Sequence, residues 1–185
     1  MAVVPEQLVH DGPWSEAEYF ALPAEWRRAE LLDGELLVSP SASNRHQRLS
    51  SRLWLVLERA RPAGLEVLEA VNVRLGPVRI LIPDIAVVAR TEAEVSAFDA
   101  ADVRLVVEIV SRGSVTTDRA IKPRLYAEAG IEHYVRVEPD GPTAHRYRLD
   151  GDRYMLVESG PVLRLTEPFQ ISVDLPELLA AERAE

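Results

Sequence analysis

The chain has 185 residues, a net charge of -9 and no cysteine. That length suits one domain; the acidity argues against a protein that coats nucleic acid non-specifically; the missing thiols exclude disulfides, thiolate metal sites and cysteine nucleophiles. No apolar run reaches the ~18 residues of a membrane span, and Met1-Ala2-Val3-Val4-Pro5-Glu6 lacks the basic-then-apolar pattern of a secretory signal, so a cytoplasmic protein with no membrane partner is expected.

In chain order, residues 1–14 read as a loosely held arm. Ser15-Glu16-Ala17-Glu18 has the form of a capping box and predicts a short helix through Leu22. A second short helix is expected over Ala24–Leu31, anchored by Trp26. Asp33-Gly34 signals a turn, and Glu35–Ser39 a strand that makes a hairpin with Leu31-Leu32. Ser41-Ala42-Ser43-Asn44 reads as a loop with an N-cap, and Arg45–Ala60 as a helix with an apolar stripe of Leu49, Leu53, Val56, Leu57 and Ala60. Arg45, Arg48 and Arg52 fall along another face. A solvated amphipathic helix explains them as readily as a surface that tracks phosphates.

Leu65–Leu75 and Val78–Ala89 read as the arms of a hairpin around Gly76-Pro77. A short helix and surface loop are expected over Thr91–Asp102, then a strand over Val103–Val110. A helix holding Lys122 follows and is closed by Gly130. Strands over Glu132–Val137, Thr143–Leu149 and Arg153–Glu158 come next, the last two joined at Asp150-Gly151. The tail, 173–185, should end in a short helix after Asp174. The order predicts an α/β (α+β) layered domain with a mixed central sheet flanked by helices, an N-terminal hairpin and a C-terminal β meander over 139–172. The core spans about 30–138 within a single domain of 1–185.

Two apolar strands each carry one carboxylate. Asp84 alternates with Ile80, Ile82, Ala86 and Val88, and Glu108 with Arg104, Val106 and Val110. An ionised carboxylate in a low-dielectric interior costs several kcal/mol, roughly, unless a cation or hydrogen bonds compensate. Two on strands close in sequence suggest a metal. The blander reading makes Asp84 a turn cap after Pro83 and Glu108 the end of an exposed strand. Of the 21 basic residues, 20 are arginine and one is lysine, Lys122. A compact ammonium near a helix start is disfavoured by the helix dipole, so anions are expected opposite it.

At Pro83-Asp84, Glu108 and Lys122 the sequence resembles the PD-(D/E)XK nuclease superfamily, and most of all its Uma-type restriction endonucleases. The likeness includes Glu30–Glu35, Ser39-Pro40 with His46, Asn72–Leu75, Pro83–Ile85, Val106–Ser111, and Lys122 with Tyr126–Gly130. The superfamily's usual lysine, two positions after the second acid, is Val110 here. The resemblance implies that its place is taken by Lys122. The loop Ser111–Ser114 lacks the proline common in the family.

What the resemblance implies is a restriction-endonuclease-like core that hydrolyses DNA phosphodiester bonds with Mg²⁺, or Mn²⁺ in its place. Asp84, Glu108 and the Ile109 backbone carbonyl would hold the metal, and Lys122 would assist the attacking water. Glu35 and His46 are further candidates for metal or phosphate contact, although a histidine near a helix start is more often solvated or capping. A double-strand cutter is expected to be a homodimer or higher homo-oligomer. The alternative is a non-catalytic nuclease-fold module for binding or oligomerisation.

Overall fold

Ser15 opens the first helix with both halves of a capping box. Its hydroxyl accepts from the Glu18 N–H, and the Glu18 carboxylate accepts from the Ser15 N–H at 2.9 Å. The computed structural model describes residues 11–23, 26, 28–38, 42–111 and 117–180, the last span without the side chains of 117 and 118. Helix α1 (Glu16–Phe20) packs Tyr19 inward, where its hydroxyl bridges the Ala29 carbonyl at 2.9 Å and Asn72 Oδ1 at 3.0 Å. Burial first, and the Glu30 charge second, push that phenol up to about 12. Tyr19→Phe is expected to cost about 1 kcal/mol, the net worth of a typical internal hydrogen bond. A lower urea midpoint at unchanged slope would show it.

The expected arm ends earlier than residue 14. Residues 1–10 lie outside the described residues, while the Trp14 N–H donates to the Gly34 carbonyl at 2.7 Å. The second helix expected over Ala24–Leu31 is not formed at its end. Ala29–Leu32 is strand β1, paired with β2 (Glu35–Val38) through a two-residue loop. Asp33 (φ +53) and Gly34 (φ +83) both take the left-handed conformation that such tight hairpin loops require. A Cβ on Gly34 would also stand 2.6 Å from Pro13 Cβ. The pairing of β1 outweighs the helical look of its short apolar run.

Helix α2 (Asn44–Ala60) is capped by the Ser43 hydroxyl and buries Leu49, Leu53 and Leu57 completely. Each such leucine contributes roughly 1.5–3 kcal/mol by burial. In place of the two strands expected over 65–89 there are four. Strand β3 (Leu65–Glu69) pairs with β6 (Ile85–Ala89), and β4 (Val73–Gly76) with β5 (Arg79–Leu81). The arms break at Ala70–Asn72, with Ala70 at φ +52, and at Ile82–Asp84. Pro83 has no N–H to give a ladder, which explains the second break.

Beyond the break lie β7 (Phe98–Asp99), a 3₁₀ turn (Ala100–Asp102) in place of the expected helix, and β8 (Val103–Ile109). A π-helical turn (Thr117–Ile121) runs into α3 (Lys122–Glu128). Then come β9 (His133–Glu138), β10 (Thr143–Asp150), β11 (Arg153–Gly160), β12 (Val162–Leu165), β13 (Ile171–Asp174) and α4 (Leu175–Ala180).

The strands form a five-stranded sheet, β2-β1-β5-β4-β7, a six-stranded sheet, β11-β10-β9-β8-β6-β3, and a β12-β13 pair. The base of the long hairpin (β3 and β6) thus lies in the six-stranded sheet and its tip (β4 and β5) in the five-stranded one. Strands β8 and β9 are parallel, so α3 is the crossover between them. One core packs α2 on the Leu105, Val107 and Ile109 face of the six-stranded sheet. The other face carries Val106 and Tyr134 under Leu125 and Tyr126 of α3. Among the described residues no helix is long and apolar enough to cross a membrane.

Candidate active site

Glu108 is next to last on β8 and points to the α3 face, by alternation with Val106. Its side chain is 3% exposed. The crossover brings two donors to it. Lys122 and Tyr126 lie four residues apart, hence on one side of α3. Lys122 Nζ donates to Glu108 Oε1 at 3.1 Å and the Tyr126 hydroxyl to the same oxygen at 2.7 Å. Burial first, then the charges of Glu108 and Glu30, hold the Tyr126 phenol well above its usual range, so it donates as a neutral group. Gly130 (φ +82) closes the helix, with the Ile131 N–H on the Tyr126 carbonyl and the Gly130 N–H on the Ala127 carbonyl.

A second buried carboxylate, Glu30 of β1, reaches the same ammonium. Its Oε1 lies 2.9 Å from Lys122 Nζ and accepts the Ile82 N–H at 2.8 Å. Its Oε2 is buried with no hydrogen-bond partner among the described residues. Two buried carboxylates therefore share one lysine, so among the described side chains negative charge exceeds positive here.

Asp84 sits in the break just before β6. The β6–β8 register pairs Ile85 with Val107, so one further step sets Asp84 across from Glu108. Its Oδ2 accepts the Ile109 N–H at 2.7 Å and lies 3.1 Å from His46 Nε2. Its carbonyl accepts the Ala70 N–H at 3.3 Å. Its side chain is a quarter exposed, and Oδ1 carries no hydrogen bond among the described residues. The chain thus anchors one carboxylate oxygen and leaves the other open. Neither the turn-cap reading of Asp84 nor the exposed-end reading of Glu108 matches these surroundings.

The other predicted site residues divide. His46 is buried in the first turn of α2 and touches Asp84; it is not a solvated histidine. Glu35 stands exposed at the turn end of β2, and Glu30 at the other end of β1 takes the position beside Lys122. The arginine face of α2 is not a continuous phosphate track. Arg52 Nη1 donates to the carbonyls of Leu178 and Leu179 at 2.7 and 2.9 Å, capping α4. Arg45 is half exposed and 3.8 Å from Asp140, and Arg48 is exposed. The main chain at Ile109 meets Asp84 through its N–H.

Sequence reasoning includes Glu30 only within a longer resemblance and gives it no role. The signal available is its single charge between Ala29 and Leu31. Elsewhere, Glu132, His133 and Glu167 bring ligand atoms within 4.8 Å of one another, but Arg148 lies 3.0 and 3.7 Å from the two carboxylates and is ion-paired with both.

Comparison with known proteins gives a family and a fold. The family model Uma2, described as "Putative restriction endonuclease", matches residues 16–180. No curated protein matches the chain. Among solved structures, a "putative nuclease belonging to DUF820" from Anabaena variabilis ATCC 29413 superposes with a TM-score of 0.72 at 18% identity, covering 91% of this chain and 98% of that one. At that identity the likeness establishes the nuclease fold.

Proposed function

The chain belongs to the Uma2 family, and from that premise we propose that it is a divalent-metal-dependent endonuclease hydrolysing DNA phosphodiester bonds. What supports this reading is the register that sets Asp84 across from Glu108 at the break before β6, with Lys122 hydrogen-bonded to Glu108. The donor set fits a hard cation. The Asp84 side chain is a quarter exposed with no hydrogen bond to Oδ1 among the described residues, Glu30 Oε2 is buried and unpartnered among them, and there the buried carboxylates outnumber the buried ammonium. Mg²⁺ favours oxygen ligands and retains several waters, so few protein ligands suffice. Asp84, Glu108 and the Ile109 carbonyl would hold it, with Mn²⁺ as a substitute. When bound, such an ion neutralises charge on the phosphoryl group and lowers the pKa of water.

The chain's own groups do the rest. The Ile109 N–H and His46 fix Asp84 in one rotamer, and Tyr126 fixes Glu108. Lys122, three rotatable donors on a point charge, holds the attacking water or a phosphate oxygen. Cutting both strands of a duplex takes two such sites, so a homodimer or higher homo-oligomer is part of the proposal. The test is Mg²⁺- or Mn²⁺-dependent cutting of duplex DNA by wild type, Asp84→Ala and Lys122→Arg. Loss in both variants is expected. Equal activity in all three would sink the reading and leave a non-catalytic binding module.

A further inference from the structure

Beside the carboxylates, on the same face of the six-stranded sheet, lies a basic cleft in an otherwise acidic chain. It measures about 200 Å³ and is lined by Arg119, Arg124, Arg136, Arg153, Tyr147 and Asp152, among others. Four arginines stand here against one lining aspartate, with Glu138 paired to Arg119 and Arg136 and Glu128 to Arg124, in a chain whose net charge is -9. Its position follows from the register. Arg136 of β9 is the cross-strand partner of Glu108, so the two side chains leave the sheet on one face, about 4.8 Å apart at the backbone. Helix α3 forms the common wall: Lys122 and Tyr126 turn towards Glu108, and Pro123, Arg124 and Ala127 line the cleft.

Arg136 is the group in this cleft with unmet demand. Its side chain is only 15% exposed and makes no hydrogen bond among the described residues. Glu138 is its ionic partner at 3.2 Å, but both Glu138 oxygens are taken by the Arg119 fork, at 3.0 and 2.8 Å. Burial works to raise the Glu138 carboxyl, yet the Arg119 hydrogen bonds and the two guanidinium charges win and hold it below its usual range. Glu138 is thus a committed anion, and Arg136 still has donors to spare. The Arg136 guanidinium lies 5.7 Å over the Tyr147 ring, a cation–π contact within the cleft lining. Buried donors without acceptors cost about 1–3 kcal/mol each. An anion with several oxygens entering the cleft removes that cost.

We propose that this cleft binds nucleic-acid phosphates that flank the reacting one. The inference rests on the endonuclease reading and adds the path of the strand: from the Asp84–Glu108 break, past Arg136, to Arg119, Arg124 and Arg153. It replaces the α2 face, whose Arg52 is occupied by α4. At about 200 Å³ the cleft has room for a phosphodiester group.

The test is fluorescence anisotropy of a labelled oligonucleotide, single-stranded and duplex, in EDTA across 50–200 mM salt. Wild type is expected to bind, with affinity falling steeply as salt rises. Arg124→Glu, at a position 66% exposed and therefore tolerant, and Arg136→Gln should each weaken binding about fivefold or more. Each should also lower the log–log salt slope by about 1, the signature of one lost phosphate contact. Arg164→Gln on β12, outside the cleft, should bind as wild type. The proposal is overturned if wild type does not bind, if both cleft variants bind as wild type, or if Arg45→Gln with Arg48→Gln abolishes binding instead. Displacement of a dye by inorganic phosphate with no oligonucleotide binding would also overturn it. EDTA keeps divalent metal out of the assay, so this result stands apart from whether the chain hydrolyses DNA.

Discussion

Asp84→Asn is expected to lower metal-dependent cleavage by about 10²–10³-fold or more, the scale of losing one preorganised electrostatic group. The substitution keeps the shape and removes the charge. Asp84 Oδ2 meets two groups, the Ile109 N–H and His46 Nε2. An asparagine satisfies them by turning its oxygen inward, which leaves its NH₂ on the open side where Oδ1 was. A donor there repels a cation that an acceptor would hold. Calorimetric titration with Mn²⁺ should show binding to wild type and none to the variant. His46→Ala removes only the group that orients Asp84, and a loss of about 10–100-fold in metal affinity is expected. If the Asp84→Asn variant and wild type took up Mn²⁺ equally, Asp84 would not be a ligand.

Lys122→Met is expected to destabilise the fold by about 3–5 kcal/mol, the usual cost of stripping one partner from a buried ion pair. Lys122 is 5% exposed and stands between Glu30 and Glu108. Without the ammonium, two buried carboxylates are left with neutral donors, Tyr126 on Glu108 and the Ile82 N–H on Glu30 among them. Glu30→Gln keeps the acceptor for Ile82 and removes one negative charge. The double variant should therefore be more stable than the sum of the two single changes predicts, by at least about 1 kcal/mol, since residues that share a charge network are not additive. Urea unfolding of the four proteins measures this directly. Strict additivity would mean that the three groups do not act together.

The parts of this molecule that are legible in the sequence are those where one local signal suffices. Strand β8 is seven residues of which only Arg104 is exposed, and its length and β-branching announce it. The isolation of Glu108 inside that run marks it as unusual. Composition alone singles out Lys122. The hairpin break is harder to read, because Leu65–Leu75 and Val78–Ala89 remain strand-like on both sides of it, and one proline is a weak mark. Glu30 escapes because its strand has four residues and borders a segment with helical composition. The basic cleft is invisible for a different reason. Its arginines come from the π-helical turn, α3, β9 and the start of β11, and nothing in their spacing along the chain tells which of 20 arginines will meet.

The lone lysine also sets the chemical character of the whole surface. With Lys122 enclosed, every other side-chain cation that never titrates in the physiological range is a guanidinium. Acylating reagents and acetyltransferases have no solvent-facing side-chain amine to modify on the folded chain, so the positive potential of its surface resists that form of switching. The one side-chain amine they would reach on loosening of the interior is the one beside the carboxylates. Modification at that nitrogen would erase the buried ion pair and register, in a single mass increment, that the centre of the molecule had come apart.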